Sequence, residues 1–442
     1  MHPESHRWAP ATPESASRWT KEVDPSNPRP DSASSPWWRP ELAASLNGLW
    51  QFREARDGDA PPIGIELDEL VLVPFGPASS LSGIGRAVER AWYRRTFTVP
   101  QSWGSGRVLL HFGAVAREAR VWVDGVEIGA HVGTWDSFEF DVTDAILARG
   151  LFREHEIVAL VRGPATTSET SAPTTGIWQS VWLESVPRIH VTSIDVLPNA
   201  ESATLGVRVH VTGSDAPVGV RVRVDSLEAT DHVRAEGVTG DWIVLDPEDT
   251  RRWTSVDPFA YMLAIELECG AGSDRVALWT CIPDSNPRAW LRGGERVGFV
   301  DRGAWPDGGV TAPTREALTN DTSRACNRYD FVRKRAKVEE NAWYAVGETG
   351  LRILQDLPPS IDDGVQYEVE LRRVVAQLRI HARLAAWVVP EEGLGALDRS
   401  RVLSIVRELD PTRPILDAKG WSDAETGEVF SVRILPAPSG GE

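Results

Sequence analysis

Sulfur is scarce in this 442-residue chain, which has three cysteines and two methionines. The cysteines, Cys269, Cys281 and Cys326, are odd in number and form no Cys-x-x-Cys pair. That excludes a disulfide framework and a thiolate zinc site. Cys269 and Cys281 could bridge, but free buried thiols are the expectation. Positive charge is also in deficit, with 47 Lys and Arg against 64 Asp and Glu and a net charge of -17. Nucleic acids and anionic membranes reward basic surfaces, so neither is expected as a partner. No apolar run approaches the roughly 20 residues of a membrane span. The first residues hold no apolar segment of signal-peptide type, so a cytoplasmic protein is expected. No His/Cys/Asp cluster has metal spacing, no Gly-x-Ser-x-Gly elbow is present, and "SGIGRA" lacks the third glycine of a phosphate loop. Neither metal nor cofactor is expected.

What the chain has is length, tryptophan and alternation. At roughly 100 to 200 residues per domain, two to four domains are expected. Nineteen Trp stand against five Tyr. Most indoles fill cores, but the same ring stacks on the apolar face of a sugar. Residues 1–40 are rich in Pro, Ser and acids and read as an irregular segment. From 41 to 187, "SLNGLWQFRE", "AWYRRTFTVP", "EARVWVDGVEIGAH" and "GIWQSVWLESV" are short alternating strands. Asp124-Gly125 is a two-residue hairpin signal between two of them. This texture predicts an all-β jelly-roll sandwich. Between 188 and 282, "ATLGVRVHVTG", "VGVRVRVDSL" and "AYMLAIELECG" put apolar and polar residues on opposite faces, which suits an immunoglobulin-like β-sandwich. After Pro283 strands alternate with helices. "YEVELRRVVAQLRIHA" is an amphipathic helix with Val369, Val374 and Leu378 on one side, and "DRSRVLSIVRELD" is a second helix. About six strands with helical crossovers imply a parallel sheet over 283–442.

The motifs "SLNGLWQF", "VPFGPASSLSGIG", "AWYRRTFTVP", "VLLHFGAV", "ARVWVDGVEIGAHVGTWDSFEFDVTDAI" and "TTGIWQSVWLE" resemble the sugar-binding domain of glycoside hydrolase family 2. That family includes β-galactosidases, β-glucuronidases and β-mannosidases. "DRGAWPDGGVTAPTREAL", "FVRKRAKVEENAWYAVGETGLRILQDLPPS" and "LRRVVAQLRIHARLAAWVVPEEG" are similar to the first four strands of its (β/α)8 TIM barrel. "VRELDPTRPILDAKGW" matches the next helix and strand. The resemblance implies a jelly roll, an immunoglobulin-like sandwich and an incomplete TIM barrel, acting on a β-glycoside carbohydrate, with oligomerisation possible.

The family's acid/base Glu, preceded by Asn, follows the fourth strand. Glu392 stands at the Glu position and Glu391 at the Asn position. A neighbouring carboxylate can raise the pKa of Glu392, but it cannot donate as an amide does. Asp301, Trp305 and Asp307 fall where the family lines its pocket, and Arg333 where it orients the nucleophile. Asp356 follows the third strand. Trp387 and Trp421 could stack a sugar. Arg335 occupies the usual place of a His.

Glycosidases of both stereochemical types need two carboxylates flanking the scissile bond. The family's nucleophilic Glu comes from near the seventh strand, and no residue here matches it. Asp417, Asp423, Glu425, Glu428 and Glu442 are the later acids. The expectation is therefore a truncated barrel with half of a retaining mechanism. Its rivals are a carbohydrate-binding pseudoenzyme and a subunit completed by a partner. An open partial barrel would also expose strand edges.

Overall fold

A computed structural model describes residues 8–11, 23–28, 39, 42–104, 106–163, 175–226, 233–246, 250–254, 256–270, 273–284, 290–291, 295–299, 331–334, 350–359, 364–381, 383–390, 397–417, 421–424, 426–428, 430 and 432–434, with backbone alone for 295–299, 331–334 and 432–434. The chain is multidomain and mostly β. It divides into two compact units, one centred on Leu42–Ser185, the other on Val186–Val300 and Glu316–Glu442.

In the first unit the strands are β1 (Ala43–Ser45), β2 (Gly48–Glu54), β3 (Glu69–Val73), β4 (Arg90–Thr98), β5 (Arg107–Phe112), β6 (Val115–Val123), β7 (Val126–Gly133), β8 (Phe138–Asp141), β9 (Glu154–Arg162), β10 (Gly176–Ile177) and β11 (Val181–Val186), with helix α1 (Thr143–Arg149) before β9. They form a four-stranded sheet, β1-β11-β5-β8, and a seven-stranded sheet, β10-β6-β9-β4-β2-β3, with β7 on β6. Trp50, Phe52, Tyr93, Val121 and Ile157 of the larger sheet share one core with Leu110, Phe112 and Leu183 of the smaller. Asp124-Gly125 makes the hairpin its sequence predicts. Val123 faces Val126, and both turn residues take positive φ, 49° and 83°. The Asp124 carboxylate pins the turn, accepting from the Glu156 amide at 2.9 Å and meeting His155 Nδ1 at 2.6 Å.

The second unit opens with β12 (His190–Asn199), β13 (Thr204–Thr212), β14 (Gly219–Ser226), β15 (Val233–Val238), β16 (Ile243–Leu245), β17 (Tyr261–Glu268) and β18 (Arg275–Thr280). These make two antiparallel sheets, β12-β13-β16 and β15-β14-β17-β18. Val220, Val222 and Val224 of "GVRVRV" fill the core between them, together with Val207, Leu263 and Ile265. Arg39 clamps this sandwich from outside its strands. Its guanidinium forks onto buried Asp274 through two 2.8 Å bonds and also donates to Val191 O. Cys269 and Cys281 are both free. Cys281 is buried, whereas Cys269 is only half-buried, because it follows β17 at the sheet margin. Burial pushes the Cys281 thiol up to about 12.

The rest of the second unit is β19 (Glu295–Phe299), β20 (Phe331–Lys334), β21 (Arg352–Asp356), helix α2 (Gly364–Leu378), β22 (Leu384–Val389), helix α3 (Arg399–Leu409), β23 (Ile415–Asp417) and β24 (Val432–Ile434). All six strands are parallel, in the order β24-β19-β20-β21-β22-β23. The sequence also reads as helical over 312–330 ("APTREALTNDTSRACNRYD") and 341–350 ("NAWYAVGETG"), segments that fall outside the described residues apart from Gly350. Helix α2 buries Tyr367, Glu370, Leu371, Val374, Val375 and Leu378. Val369, expected on that side, faces out, because the buried stripe is set by Tyr367 and Leu371 one turn apart.

The β23 edge of the parallel sheet is not open. After β23 the chain doubles back, with Ala424 N donating to Ile415 O and Asp417 N to Ser422 O, both at 2.7 Å. It then turns again, with Asp423 N donating to Glu428 O at 2.7 Å and Phe430 N to Trp421 O at 2.8 Å. Gly427 supplies the positive φ, 69°, that this turn needs. Two residues after Phe430, β24 begins beside β19. Two residues reach at most about 7 Å, whereas five strand spacings of a flat sheet span roughly 24 Å. The sheet is therefore rolled, and the hairpin 421–430 fills the gap between its first and last strands.

One ion cluster in the first unit yields a pH prediction. His111 of β5 stacks on Trp182, with ring centroids 4.6 Å apart. Its Nδ1 lies 3.1 Å from Glu139 and its Nε2 3.3 Å from Glu184. Burial alone would lower the imidazole pKa, but the two carboxylates outweigh it and hold the group above its ordinary value of about 6.5. A folded pKa raised above the unfolded one gives stability that is present below about pH 6.5 and lost as pH rises through the folded value. The difference in melting temperature between the native chain and His111→Gln should shrink steadily above pH 6.5. A difference that grows with pH would contradict this.

Candidate active site

In a parallel sheet of this kind, chemistry gathers where the strands end at their C-termini. Register shows which residues reach that end on the inner face. Leu354 pairs with Ala386, and Asp356 with Val388, which pairs with Leu416. Leu354, Ala386, Val388, Leu416 and hairpin residue Phe430 share one buried cluster, so this alternate set points into the roll. Asp356 is the last of the set on β21. It is buried, and its backbone carbonyl accepts from Gln355 Nε2 at 2.9 Å. The next residue, Leu357, donates to Val388 O at 2.8 Å, which fixes the end of β21 against β22. Trp421 packs against the same cluster from the hairpin, half-buried, at φ 46°. Such a φ is uncommon for a bulky residue and here lets the chain reverse after β23.

The other phase of the strands faces the helices. Trp387 pairs with Gln355 and Ile415 on that outer phase. It is 0% exposed, and its Nε1 donates to Asp410 at 2.8 Å. Its ring has no face open to a sugar, because it lies between sheet and helix layer. Asp417, weighed as a late acid, belongs to the same phase. Arg399, at the start of α3, donates to it at 2.8 Å, which turns the carboxylate toward the helix. Asp423 is buried and caps the hairpin turn by accepting from Thr426 N at 2.9 Å, while Glu428 is half-buried.

Arg333 stands on β20 between Phe299 and Leu354 in register, near the strand end. Glu391, Glu392, Asp301, Trp305 and Asp307, with Arg335, Glu425 and Glu442, lie outside the described residues. Of the expected residues, Asp356 thus ends β21 at the inner mouth of the sheet and Trp421 packs against the inner cluster, whereas Trp387 lies on the outer phase.

A buried polar network that sequence reading missed supports the strands behind this mouth. Arg413 donates to Asp410 Oδ2 at 2.7 Å, to Leu384 O at 2.6 Å and to His381 O at 2.9 Å. Burial would raise the Asp410 carboxyl, but the Arg413 charge and bonds from Trp387 and Thr412 hold it below the usual range. Burial, with the charges of Arg413 and Arg383, pushes His381 down to about 3, so it stays neutral. The Asp-Pro-Thr-Arg run was visible, but not that Asp410 would reach an indole 23 residues back in the chain. Asp398, which caps α3 by accepting from Arg401 N at 2.7 Å, was legible as an acid just before an apolar period. No group of three or more His, Cys, Asp or Glu among the described residues could hold a metal. No described helix is long and apolar enough to cross a membrane.

Comparison with known proteins adds a set of likenesses. Residues 80–187 match the family described as glycosyl hydrolases family 2, sugar binding domain. A β-glucuronidase of Paenibacillus borealis is 20% identical over 433 residues, covering 84% of this chain and 72% of that one. The β-galactosidase large subunit of Leuconostoc lactis is 24% identical over 229 residues, 50% of this chain and 35% of that one. Among solved structures, the β-glucuronidase from Ruminococcus gnavus in complex with C6-substituted uronic isofagomine superposes with a TM-score of 0.68 at 17% identity. It covers 87% of this chain and 74% of that one.

The network behind the mouth should outweigh the pair at its rim. Asp410→Asn leaves the Arg413 charge buried without its partner and should cost about 3–5 kcal/mol. Arg399→Gln breaks a part-exposed pair and should cost under about 1 kcal/mol. Urea midpoints of the two variants measure this, and equal losses would contradict it.

Proposed function

We propose that this chain, a relative of glycoside hydrolase family 2 through its sugar-binding domain and its fold, engages β-linked glycosides at the inner C-terminal mouth of the rolled sheet. On this reading the first unit is the jelly-roll domain, over 41–187. The antiparallel pair of sheets is the immunoglobulin-like sandwich, over 188–282, and the parallel sheet is a shortened (β/α) barrel, over 283–442. What supports the reading is that register puts Asp356 on the inner phase at the end of β21 and that Trp421 packs against the inner cluster, in a chain whose residues 80–187 match the sugar-binding family.

Glu392 follows Val389, the last residue of β22, by three positions. We assign it as the acid that protonates the leaving oxygen. Hydrolysis with retention then needs a second carboxylate on the opposite side of the anomeric carbon. Asp301, Asp307, Arg333 and Asp356 are assigned to the sugar's hydroxyls and to orientation. Trp305 and Trp421 are assigned to its apolar face. Glu391 beside Glu392 disfavours two charges at once and raises the pKa of the pair, which suits an acid.

A second reading, glycoside binding without turnover, is favoured by strand order. β23 is the fifth strand of the sheet, and β24 lies on the far side of the first. The antiparallel hairpin 421–430 thus stands where an eight-stranded barrel has its sixth and seventh strands. In the family the nucleophile comes from near the seventh.

The purified chain on nitrophenyl β-glucuronide, β-galactoside and β-mannoside separates the readings. We expect turnover of one of them, with kcat reduced roughly 10²- to 10⁴-fold by Glu392→Gln. Saturable binding of the same glycosides, with no turnover by either protein, would establish the second reading instead.

A further inference from the structure

Away from the mouth, the outer face of β12-β13-β16 combines an open aromatic ring with converging cations. Leu205, Val207 and Val209 of β13 enter the sandwich core, so Gly206, Arg208 and His210 point out. Register sets Leu197 and Val244 on either side of Gly206, and Asp195 beside Arg208. Gly206 contributes no side chain, and the Cε3–Cζ3 edge of Trp242 comes close to it. A Cβ there would meet the indole Cε3 at 3.3 Å. Trp242 is 45% exposed and Val244 61%, with Leu197 also exposed.

Polar groups border this apolar strip. Asp195 accepts from Arg208 Nε at 2.9 Å and Nη2 at 2.7 Å, contacts His210 Nε2 at 3.0 Å, and accepts from Arg379 at the end of α2. Two guanidiniums on one carboxylate leave the cluster positive, in a chain whose net charge is -17. Arg208 also lies 4.6 Å from the centre of the Trp242 ring. Its Nη1 has no acceptor among the described residues, and its side chain is part-exposed.

We propose that this face is an accessory binding site for an acidic oligosaccharide. A pyranose ring lays its C–H face on Trp242, flanked by Leu197 and Val244. A ring carboxylate takes the remaining Nη1 donor of Arg208, a geometry that guanidinium serves well. Charge selects an acidic ligand over a neutral one. The choice of a saccharide over an acidic peptide rests on the carbohydrate reading of the chain.

Affinity electrophoresis of the full chain through gels containing polygalacturonate or neutral dextran tests it. The native chain should be retarded by polygalacturonate and not by dextran. Trp242→Ala and Arg208→Gln should each weaken the apparent affinity by about tenfold or more, about 1.4 kcal/mol, with both variants still melting cooperatively. No retardation of the native chain, equal retardation by dextran, or retardation unchanged in Trp242→Ala would each overturn the proposal. Turnover of the nitrophenyl glycosides should be unaffected by Trp242→Ala. Turnover lost from the native chain with retardation kept would refute the catalytic reading alone, and retardation lost with turnover kept would refute this one alone.

Discussion

Everything at the mouth depends on one geometric constraint, the short path from β23 to β24. Phe430 is hydrogen-bonded to Trp421 beside β23, and Val432 is already paired beside β19. A flat sheet cannot satisfy both, because its outer strands lie several times farther apart than two residues can reach. Rolling follows. Once the sheet is rolled, the two faces of each strand become unequal. One lines an interior filled by Leu354, Val388, Leu416 and Phe430, and the other meets helices α2 and α3. The hairpin also covers one edge of the sheet, since β23 pairs with residues 422–424 rather than with solvent.

The inner and outer faces divide the candidate residues by role. Asp356 belongs to the inner phase and Trp421 packs against the inner cluster. Trp387, Asp410 and Arg413 form the outer support, and Asp417 is drawn to Arg399 and away from the interior. A buried ion pair such as Asp410–Arg413 is poor evidence of net stability by itself. Its value here is positional. Arg413 ties Leu384 at the start of β22 to His381 and Asp410, so the start of the strand leading toward Glu392 is fixed from below.

Much of this was legible in the sequence, and what was not has physical causes. Alternation gave the strands around Val121, Val222 and Ile265, and Asp124-Gly125 gave its hairpin, because turn chemistry and period two are local. The parallel strands are apolar on both faces, as β22 is throughout. Such a run carries no period, so it could not tell that Trp387 would face the helices or that Asp417 would turn outward. Val369 was assigned to the wrong side of α2 for a related reason. An apolar residue at the border of a helical stripe fits either side until the neighbouring strand is placed. Gly427 supplies the positive φ of the hairpin's turn. Its closing role depends on a pairing with β19, more than a hundred residues upstream, which no local pattern encodes.

The central claim is that the inner strand ends of the rolled sheet are where a glycoside meets this protein. Hydrogen–deuterium exchange of the full chain with and without isofagomine and a uronic isofagomine tests it without requiring turnover. At least one of the two should slow exchange at the amides of 354–358, 386–389 and 415–424. Slowing confined to the sandwiches, or none with either compound, would contradict it.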